Sequence, residues 1–198
     1  MTRNSTFSKR IFTPSSLLKR SGLFLAYLPF LLQGLVRPKT SRALREKVML
    51  AVTAVNDCRY CAWVHTHLAL NNGIALQEIN ELLQHNNMNA ACDSEAAAIM
   101  FAQHYADTNG NIDPASRLAL NQHYIPWQQR EILSYIHTIY MGNLSGNTFD
   151  ALLARGKGMQ VENSSLLFEL VCAVVTMPVL GIIYCRAKQD KRVQFAND

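Results

Sequence analysis

The chain has 198 residues, 49% apolar and 17% charged, which favours one globular domain with a sizeable core. Nineteen basic residues against fourteen acidic ones give a net charge of +5, and much of the excess lies near the two ends. It forms no basic stripe with interleaved aromatics, which argues against nucleic-acid binding. Five cysteines in a chain of this length do not resemble a disulfide-stapled secreted fold, so we expect a reducing, cytoplasmic location.

The N-terminal region divides into a polar part and an apolar part. Residues 1–14 are polar and basic, and we expect them to be flexible. The apolar run 22–36 could suggest a signal peptide or an anchor, but Pro29 interrupts it and no small-residue cleavage site follows. It is also short for a membrane span. We predict a kinked helix that covers the core or a neighbouring subunit.

The remaining elements follow from apolar periodicity and from residues that begin or end helices. Thr40 or Ser41 is expected to cap one helix, and Asp113-Pro114 to begin another. The predicted helices cover 42–55, 57–72, 74–85, 93–108, a stretch beginning at 113, 126–142, 149–155 and 166–185. The predicted connections include 86–89, a turn at 142–148 and a polar loop at 156–165.

The run 166–185 is long and apolar enough to permit a membrane span. Glu169 lies inside it and Pro178 would kink it, so we favour a buried or interface helix and keep membrane contact as the alternative. Cys172 and Cys185, in the same run, are expected to be core cysteines.

The sequence shows no strand pattern and no hairpin signal, so the predicted fold class is all-α. We expect a single helical domain over 15–186, with its core motif at 42–73. A polar tail follows at 187–198.

The core motif holds two cysteines and a histidine. Cys58, Cys61 and His65 are separated by three and four residues, which places them on one face of a helix near its N-terminus. A thiol there loses its proton more easily, which makes Cys58 the more acidic cysteine on this argument alone. Asn56 or Asp57 is expected to cap the helix. The pattern favours a redox-active pair.

Glu46 lies twelve residues before Cys58. On one continuous helix its side chain would lie about 120° around from that cysteine. It reaches the site only if the chain breaks between them, and Asn56-Asp57 is the expected break. The alternative is a solvated Glu46 that pairs with Lys47 or Arg42.

A metal site is a weaker interpretation of the same residues. His67, the nearest fourth ligand, would point away from His65, and the sequence contains no second Cys-x-x-Cys. His104, His123 and His137 have no thiol or carboxylate at matching spacing, so we expect surface or core roles for them.

These residues resemble the alkylhydroperoxidase D-like branch of the carboxymuconolactone decarboxylase family. The motif runs from Leu44-Arg45-Glu46 through Asn56-Asp57-Cys58, Tyr60-Cys61 and His65-Thr66 to Ala69 and Gly73. A looser similarity extends to about residue 155 and includes Gly142-Asn143 and Asn147. Asn143 and Asn147 are expected to bond backbone groups near the active helix, or to cap.

The resemblance implies a helical bundle and a thiol-dependent alkyl hydroperoxide reductase. It assigns peroxide attack to Cys61, resolution to Cys58, and a proton relay to Glu46 and His65. It implies no bound cofactor, a small hydroperoxide substrate, a lipoyl or thioredoxin-like dithiol reductant, and assembly as trimers or hexamers. One position departs from the best-known peroxidases, which carry a histidine where this chain has Tyr60.

Two other functions remain open. The first is lactone decarboxylation, the other named activity of the family, although nothing in that reaction requires a cysteine pair. The second is a non-enzymatic, redox-responsive or membrane-associated interaction protein that uses the basic and apolar ends of the chain.

Overall fold

The structure is a computed structural model that describes residues 6–84 and 92–189. Within those ranges it contains helices and no strand, which confirms the all-α class. The predicted loop at 86–89 lies outside the described residues, as do residues 1–5 and the end of the predicted tail from 190 onward. The helices are α1 (Pro14–Val36), α2 (Arg42–Asn56), α3 (Arg59–Asn71), α4 (Leu76–Leu83), α5 (Asp93–Asp107), α6 (Pro114–His123), α7 (Pro126–Gly156) and α8 (Leu166–Gln189).

Two helices form the centre of the fold. α2 packs against α3, α4, α5 and α7, and α7 also contacts α1 and α8. Their apolar side chains fill the core, where Val48, Leu50, Ile132 and Ile136 are fully buried. Because α7 touches neighbours on several sides, it separates the region around α3 from the region beneath α1.

Two helix starts that the sequence predicted from polar capping residues are confirmed. The Ser41 hydroxyl accepts a hydrogen bond from the Leu44 N–H at 3.0 Å, and α2 begins at the next residue. The Asp113 carboxylate accepts from the Ser116 N–H at 2.8 Å, with Pro114 at the first position of α6. Each cap satisfies an N–H group that the first turn of a helix leaves without a partner.

The predicted turn at 142–148 is wrong, because α7 continues through it as one helix of 31 residues. Gly142 and Gly146 suggested a break, yet neither has the positive φ of a helix-ending glycine. The Ser145 and Thr148 hydroxyls donate to the carbonyl oxygens of Met141 and Leu144, at 2.8 and 2.7 Å, so their side chains fit a helix. Packing on both sides of α7 outweighs the low helix propensity of glycine.

Part of the segment expected to be flexible lies against the body of the protein. Residues 6–13 form an extended strap in which Phe12 is fully buried and its N–H donates to the Thr148 hydroxyl at 3.0 Å. An isolated bridge between Thr6 and Gln160 holds the beginning of the strap. The strap therefore crosses one end of α7 before α1 begins.

The C-terminal helix is anchored by a buried charge. Glu169 is fully buried, and both its oxygens accept from Nε of Arg155 on α7, at 3.0 and 2.9 Å. Cys172 is buried as predicted, and the side chain of Cys185 lies outside the described residues. Across residues 6–84 and 92–189, no helix combines the length and the apolarity needed to cross a membrane.

Candidate active site

The two cysteines of the motif lie together at the beginning of α3. Cys58 is the N-cap residue and Cys61 lies in the first turn, with the two Sγ atoms 3.2 Å apart. A disulfide bond is about 2.05 Å long, so these are two thiols in contact that need only a small movement to bond. Both side chains are buried, at 1% and 5% exposure.

The predicted cap at this helix is wrong, although the predicted break is confirmed. Asn56 is the last residue of α2, and Asp57 follows it in the left-handed conformation with φ of 51°. Lys9 holds this junction, because its ammonium group donates to the Asp57 carbonyl at 2.7 Å and pairs with the Asp57 carboxylate at 3.1 Å. Since the chain turns at Asp57, no side-chain cap forms, and Cys58 takes the N-cap position.

The environment makes the two thiols unequal. The hydrogen bond with Cys61 lowers the pKa of Cys58, and the backbone N–H groups of Cys61 and Tyr60 lower it further against the effect of burial. The same contact and deep burial raise the pKa of Cys61 well above its ordinary value. The thiolate of the resting pair is thus favoured at Cys58, as the helix-end argument predicts.

The chain break brings Glu46 to His65. Nδ1 of His65 lies 2.8 Å from one carboxylate oxygen of Glu46, and Nε of Arg45 donates to the other oxygen at 2.9 Å. Burial raises the pKa of Glu46, but His65 and Arg45 more than offset it, so the pKa lies below its usual value. The alternative ion pairs with Lys47 and Arg42 do not form, since Lys47 bridges two other carboxylates. His65 follows Cys61 by four residues and shares its helix face.

Gly142 and Gly146 of α7 form the wall behind the thiols. A Cβ atom at Gly146 would lie 2.7 Å from Sγ of Cys58 and 3.1 Å from the ring of Tyr60. A Cβ atom at Gly142 would lie 3.6 Å from Sγ of Cys61, which is ordinary contact. Gly146 therefore allows α7 to approach the start of α3 more closely than any other residue would.

Buried amides lie beside this wall. The Asn147 amide donates to the carbonyl oxygens of Asn56 and Arg10, at 2.7 and 3.0 Å, which confirms the predicted bond to backbone near the active helix. Asn143 accepts from the Thr53 hydroxyl at 3.1 Å. These bonds fix the end of α2 and the strap against α7.

Tyr60, which stands between the cysteines, is held by an acidic residue that the sequence did not reveal. Its hydroxyl donates to Asp150 on α7 at 2.7 Å, and Arg59 pairs with the same carboxylate oxygen at 2.5 Å. Burial raises the pKa of Tyr60, and the hydrogen bond with Asp150 raises it further. Asp150 is 90 residues away in the chain, so no local spacing could have indicated it. The four-residue spacing of Gly142 and Gly146 was the available signal for a close helix approach.

Three histidines outside the motif, His104, His123 and His137, take the predicted surface and core roles. His137 is buried beside Tyr105, with 3.4 Å between Nδ1 and the phenolic oxygen. His104 is partly exposed. Its Nε2 atom lies 2.7 Å from a carboxylate oxygen of Asp113, which caps the next helix, α6. His67 bonds the Trp63 carbonyl oxygen within α3 at 2.7 Å, while His123 is exposed.

Comparison with known proteins agrees with the motif. The model of the carboxymuconolactone decarboxylase family matches residues 23–104, a stretch that holds both cysteines, His65 and Glu46. No curated protein matches the chain. A solved structure of an uncharacterized peroxidase-related protein from Silicibacter sp. TM1040 is 18% identical, covering 72% of this chain and 70% of that chain, with a TM-score of 0.48. The family match confirms, over residues 23–104, the resemblance seen in the sequence.

Proposed function

We propose that the protein is a thiol-dependent peroxidase that reduces small organic hydroperoxides. The observation that carries the proposal is the contact between Sγ of Cys58 and Sγ of Cys61 at 3.2 Å, beside a Glu46–His65 hydrogen bond of 2.8 Å. Two thiols at a helix start can alternate between dithiol and disulfide, and a carboxylate–imidazole pair can move the protons that this requires. Lactone decarboxylation would leave the thiol pair without a role.

In the first step a cysteine thiolate attacks one oxygen of the hydroperoxide. The O–O bond breaks, the sulfur becomes a sulfenic acid, and the alkoxide leaves as an alcohol after taking a proton. We propose that His65, oriented by Glu46, accepts the thiol proton and returns it to the leaving oxygen. In the second step the other cysteine attacks the sulfenic sulfur, hydroxide leaves as water after protonation, and the Cys58–Cys61 disulfide closes.

A dithiol must then restore the pair. One thiolate of the reductant attacks the disulfide, and its second thiol displaces the mixed disulfide, so the reductant leaves oxidised and both cysteines regain their protons. We propose a lipoyl group or a thioredoxin-like protein as this reductant. The two electrons that reduce the peroxide come from it, and the chemistry calls for no bound cofactor. The cytoplasm, which keeps dithiols reduced, is the proposed location.

The resemblance and the electrostatics of the resting pair assign different cysteines to the attack. The resemblance assigns attack to Cys61, whereas the resting electrostatics favour a thiolate at Cys58. We retain Cys61 as the attacking thiol, because His65 lies one helical turn after it and can take its proton during the attack. Trapping of the sulfenic acid distinguishes the two orders. In the Cys58→Ser variant, the trapped sulfenic acid should lie on Cys61. A sulfenic acid trapped on Cys58 in the Cys61→Ser variant would reverse the two roles.

The first experiment counts thiols in the reduced protein before and after one equivalent of cumene hydroperoxide, with disulfides mapped by mass spectrometry. The number of free thiols should fall from five to three, with Cys58 joined to Cys61 by a disulfide bond. Cys61→Ser should abolish peroxide consumption, and Cys92→Ser, a change at an exposed cysteine, should preserve it. Five thiols remaining after peroxide addition would refute the peroxidase function.

We also propose that the protein is a homo-oligomer, a trimer or a hexamer. The supporting observation is the apolar surface of α1 and α8, where Leu18, Val36, Leu167, Val174 and Val175 are all more than two-thirds exposed. Surfaces of this kind usually meet another protein surface. Light scattering coupled to size-exclusion chromatography gives the subunit number, and a monomer at micromolar concentration would contradict the proposal.

A further inference from the structure

A cavity of about 590 Å³ lies on the other side of α7 from the thiols. The strap 6–13, the first turns of α1 and the loop at 162–163 line this half-open cavity, and Tyr140 and Leu144 of α7 contribute to its wall. Gly142 and Gly146, by contrast, face the cysteines. Because positions two residues apart point in nearly opposite directions on a helix, the cavity and the thiol site are separate.

A buried cation lines this cavity without a carboxylate partner. Arg20 on α1 is 3% exposed, and its guanidinium donates to the Tyr105 hydroxyl at 3.3 Å and to the Asn109 carbonyl at 2.9 Å. Among residues 6–84 and 92–189, no ion pair includes it. The Cζ atom of the Arg20 guanidinium also lies 4.0 Å from the centroid of the Tyr140 ring. Tyrosine faces and neutral oxygens reduce the cost of burying this charge but do not neutralise it.

The rest of the lining is also favourable to an anion. Arg10 contributes a further cation, whereas the ammonium group of Lys9 is paired with Asp57 at 3.1 Å and Asp150 at 3.9 Å, and Glu162 is the one carboxylate among the lining residues. Arg10 is held mainly by carbonyl oxygens, and its ion pair with the exposed Asp107 spans 4.0 Å. The N-terminus of α1, capped by Thr13, also opens onto the cavity and adds a partial positive charge.

The lining has an apolar part beside these donors. Phe7, Ile11 and Leu144 contribute to the wall, and the volume of the cavity exceeds what a single phosphate or carboxylate group fills. We propose that this cavity binds a small organic oxyanion, with its phosphate or carboxylate group near Arg20 and its apolar part against these side chains. The site is independent of the thiol chemistry, so it stands whether or not the peroxidase function does.

The test measures binding of three matched probes to the purified full-length protein by isothermal titration calorimetry. Phenyl phosphate and benzoate carry the two candidate oxyanions on one ring, and benzyl alcohol carries no charge. We expect saturable binding of at least one anion, weakened by added salt, and at least about tenfold weaker binding of benzyl alcohol. The stronger anion identifies the oxyanion class. Equal binding of the neutral probe, or no saturable binding of either anion, would overturn the proposal.

Variants locate the binding at this cavity. Arg20→Gln should weaken anion binding at least about tenfold, since it removes the buried charge. Because Arg20 is also part of the core, two exposed wall positions provide tests that leave the fold intact. Ser8→Glu should weaken binding about threefold while its neutral control Ser8→Gln does not, and Glu162→Gln should strengthen it by a similar factor.

The same titration separates this site from the thiol site. Cys61→Ser should bind the anion as the native protein does, because α7 lies between the two sites. Loss of binding in Cys61→Ser, or unchanged binding in both Ser8→Glu and Glu162→Gln, would show that the anion binds elsewhere.

Discussion

His65 and Glu46 share a hydrogen bond of 2.8 Å although nineteen residues of chain separate them. The contact exists because α2 ends at Asn56 and Asp57 adopts a positive φ, so α3 turns back along α2. The carboxylate is 1% exposed, and Arg45 holds its other oxygen. An imidazole fixed in this way has one defined orientation and one nitrogen, Nε2, left to exchange a proton.

Glu46→Gln tests the importance of that contact. The neutral amide cannot stabilise a positive charge on His65, so we expect peroxide consumption to fall at least about tenfold while both cysteines still form a disulfide with a chemical oxidant. Glu81→Gln on α4, which leaves the site untouched, is the control. Steady-state rates with cumene hydroperoxide and excess dithiol provide the measurement. Equal rates for Glu46→Gln and Glu81→Gln would remove Glu46 from the mechanism.

Gly142 and Gly146 of α7 allow a matched pair of substitutions. Gly146→Ala places a Cβ atom 2.7 Å from Sγ of Cys58, so the helices must separate, and we expect a loss of about 1–3 kcal/mol in the free energy of unfolding. Gly142→Ala meets Sγ of Cys61 at 3.6 Å and should be neutral or stabilise by up to about 1 kcal/mol, because alanine favours a helix. Urea unfolding measures both changes. Equal stability of the two variants would contradict the close approach at Gly146.

We expect the carboxylate of Asp150 to keep the pKa of Cys58 higher than it would be without this charge. The pKa of Cys58 lies below its ordinary value chiefly because of the hydrogen bond with Cys61, and the negative charge of Asp150 opposes that shift. Asp150→Asn should therefore lower the pKa further and speed alkylation of Cys58 by iodoacetamide about two- to threefold near neutral pH. Asp107→Asn, at an exposed position, is the control. Slower alkylation of Asp150→Asn would show that Asp150 acts mainly by positioning Tyr60.

The burial of His137 should make the stability of the protein depend on pH. Burial, and secondarily the charge of Arg20, lowers the pKa of His137 to about 4 from its ordinary 6.5. Between these pH values the unfolded chain binds a proton that the folded chain does not, so stability falls as the pH falls from 6.5 to 4. The total contribution is about 3 kcal/mol.

His137→Gln should remove this component of the pH dependence, and His123→Gln, at an exposed histidine, should retain it. Urea unfolding at several pH values between 4 and 6.5 provides the comparison. If the native protein and His137→Gln lose stability equally over that interval, His137 is not the buried neutral base that the structure indicates.

The sequence by itself determined the local parts of the site. Residues three and four apart must share a helix face, so Cys58, Cys61 and His65 could be grouped from spacing alone. The geometry of a straight helix showed that Glu46 could join them only across a break, and the structure has that break at the expected place. Capping chemistry likewise located the starts of α2 and α6, because a cap depends on neighbouring residues.

Only the tertiary structure decided what faces the thiols from other parts of the chain. The glycines near 142–146 resemble a turn in the sequence, yet they lie inside α7, where a residue without a side chain lets two helices approach. Asp150 reaches Tyr60 across 90 residues, and Arg20 lies in a cavity formed by distant segments. Such contacts depend on how helices pack, which local spacing does not encode, and they determine both the acidity of Cys58 and the environment of the buried cation.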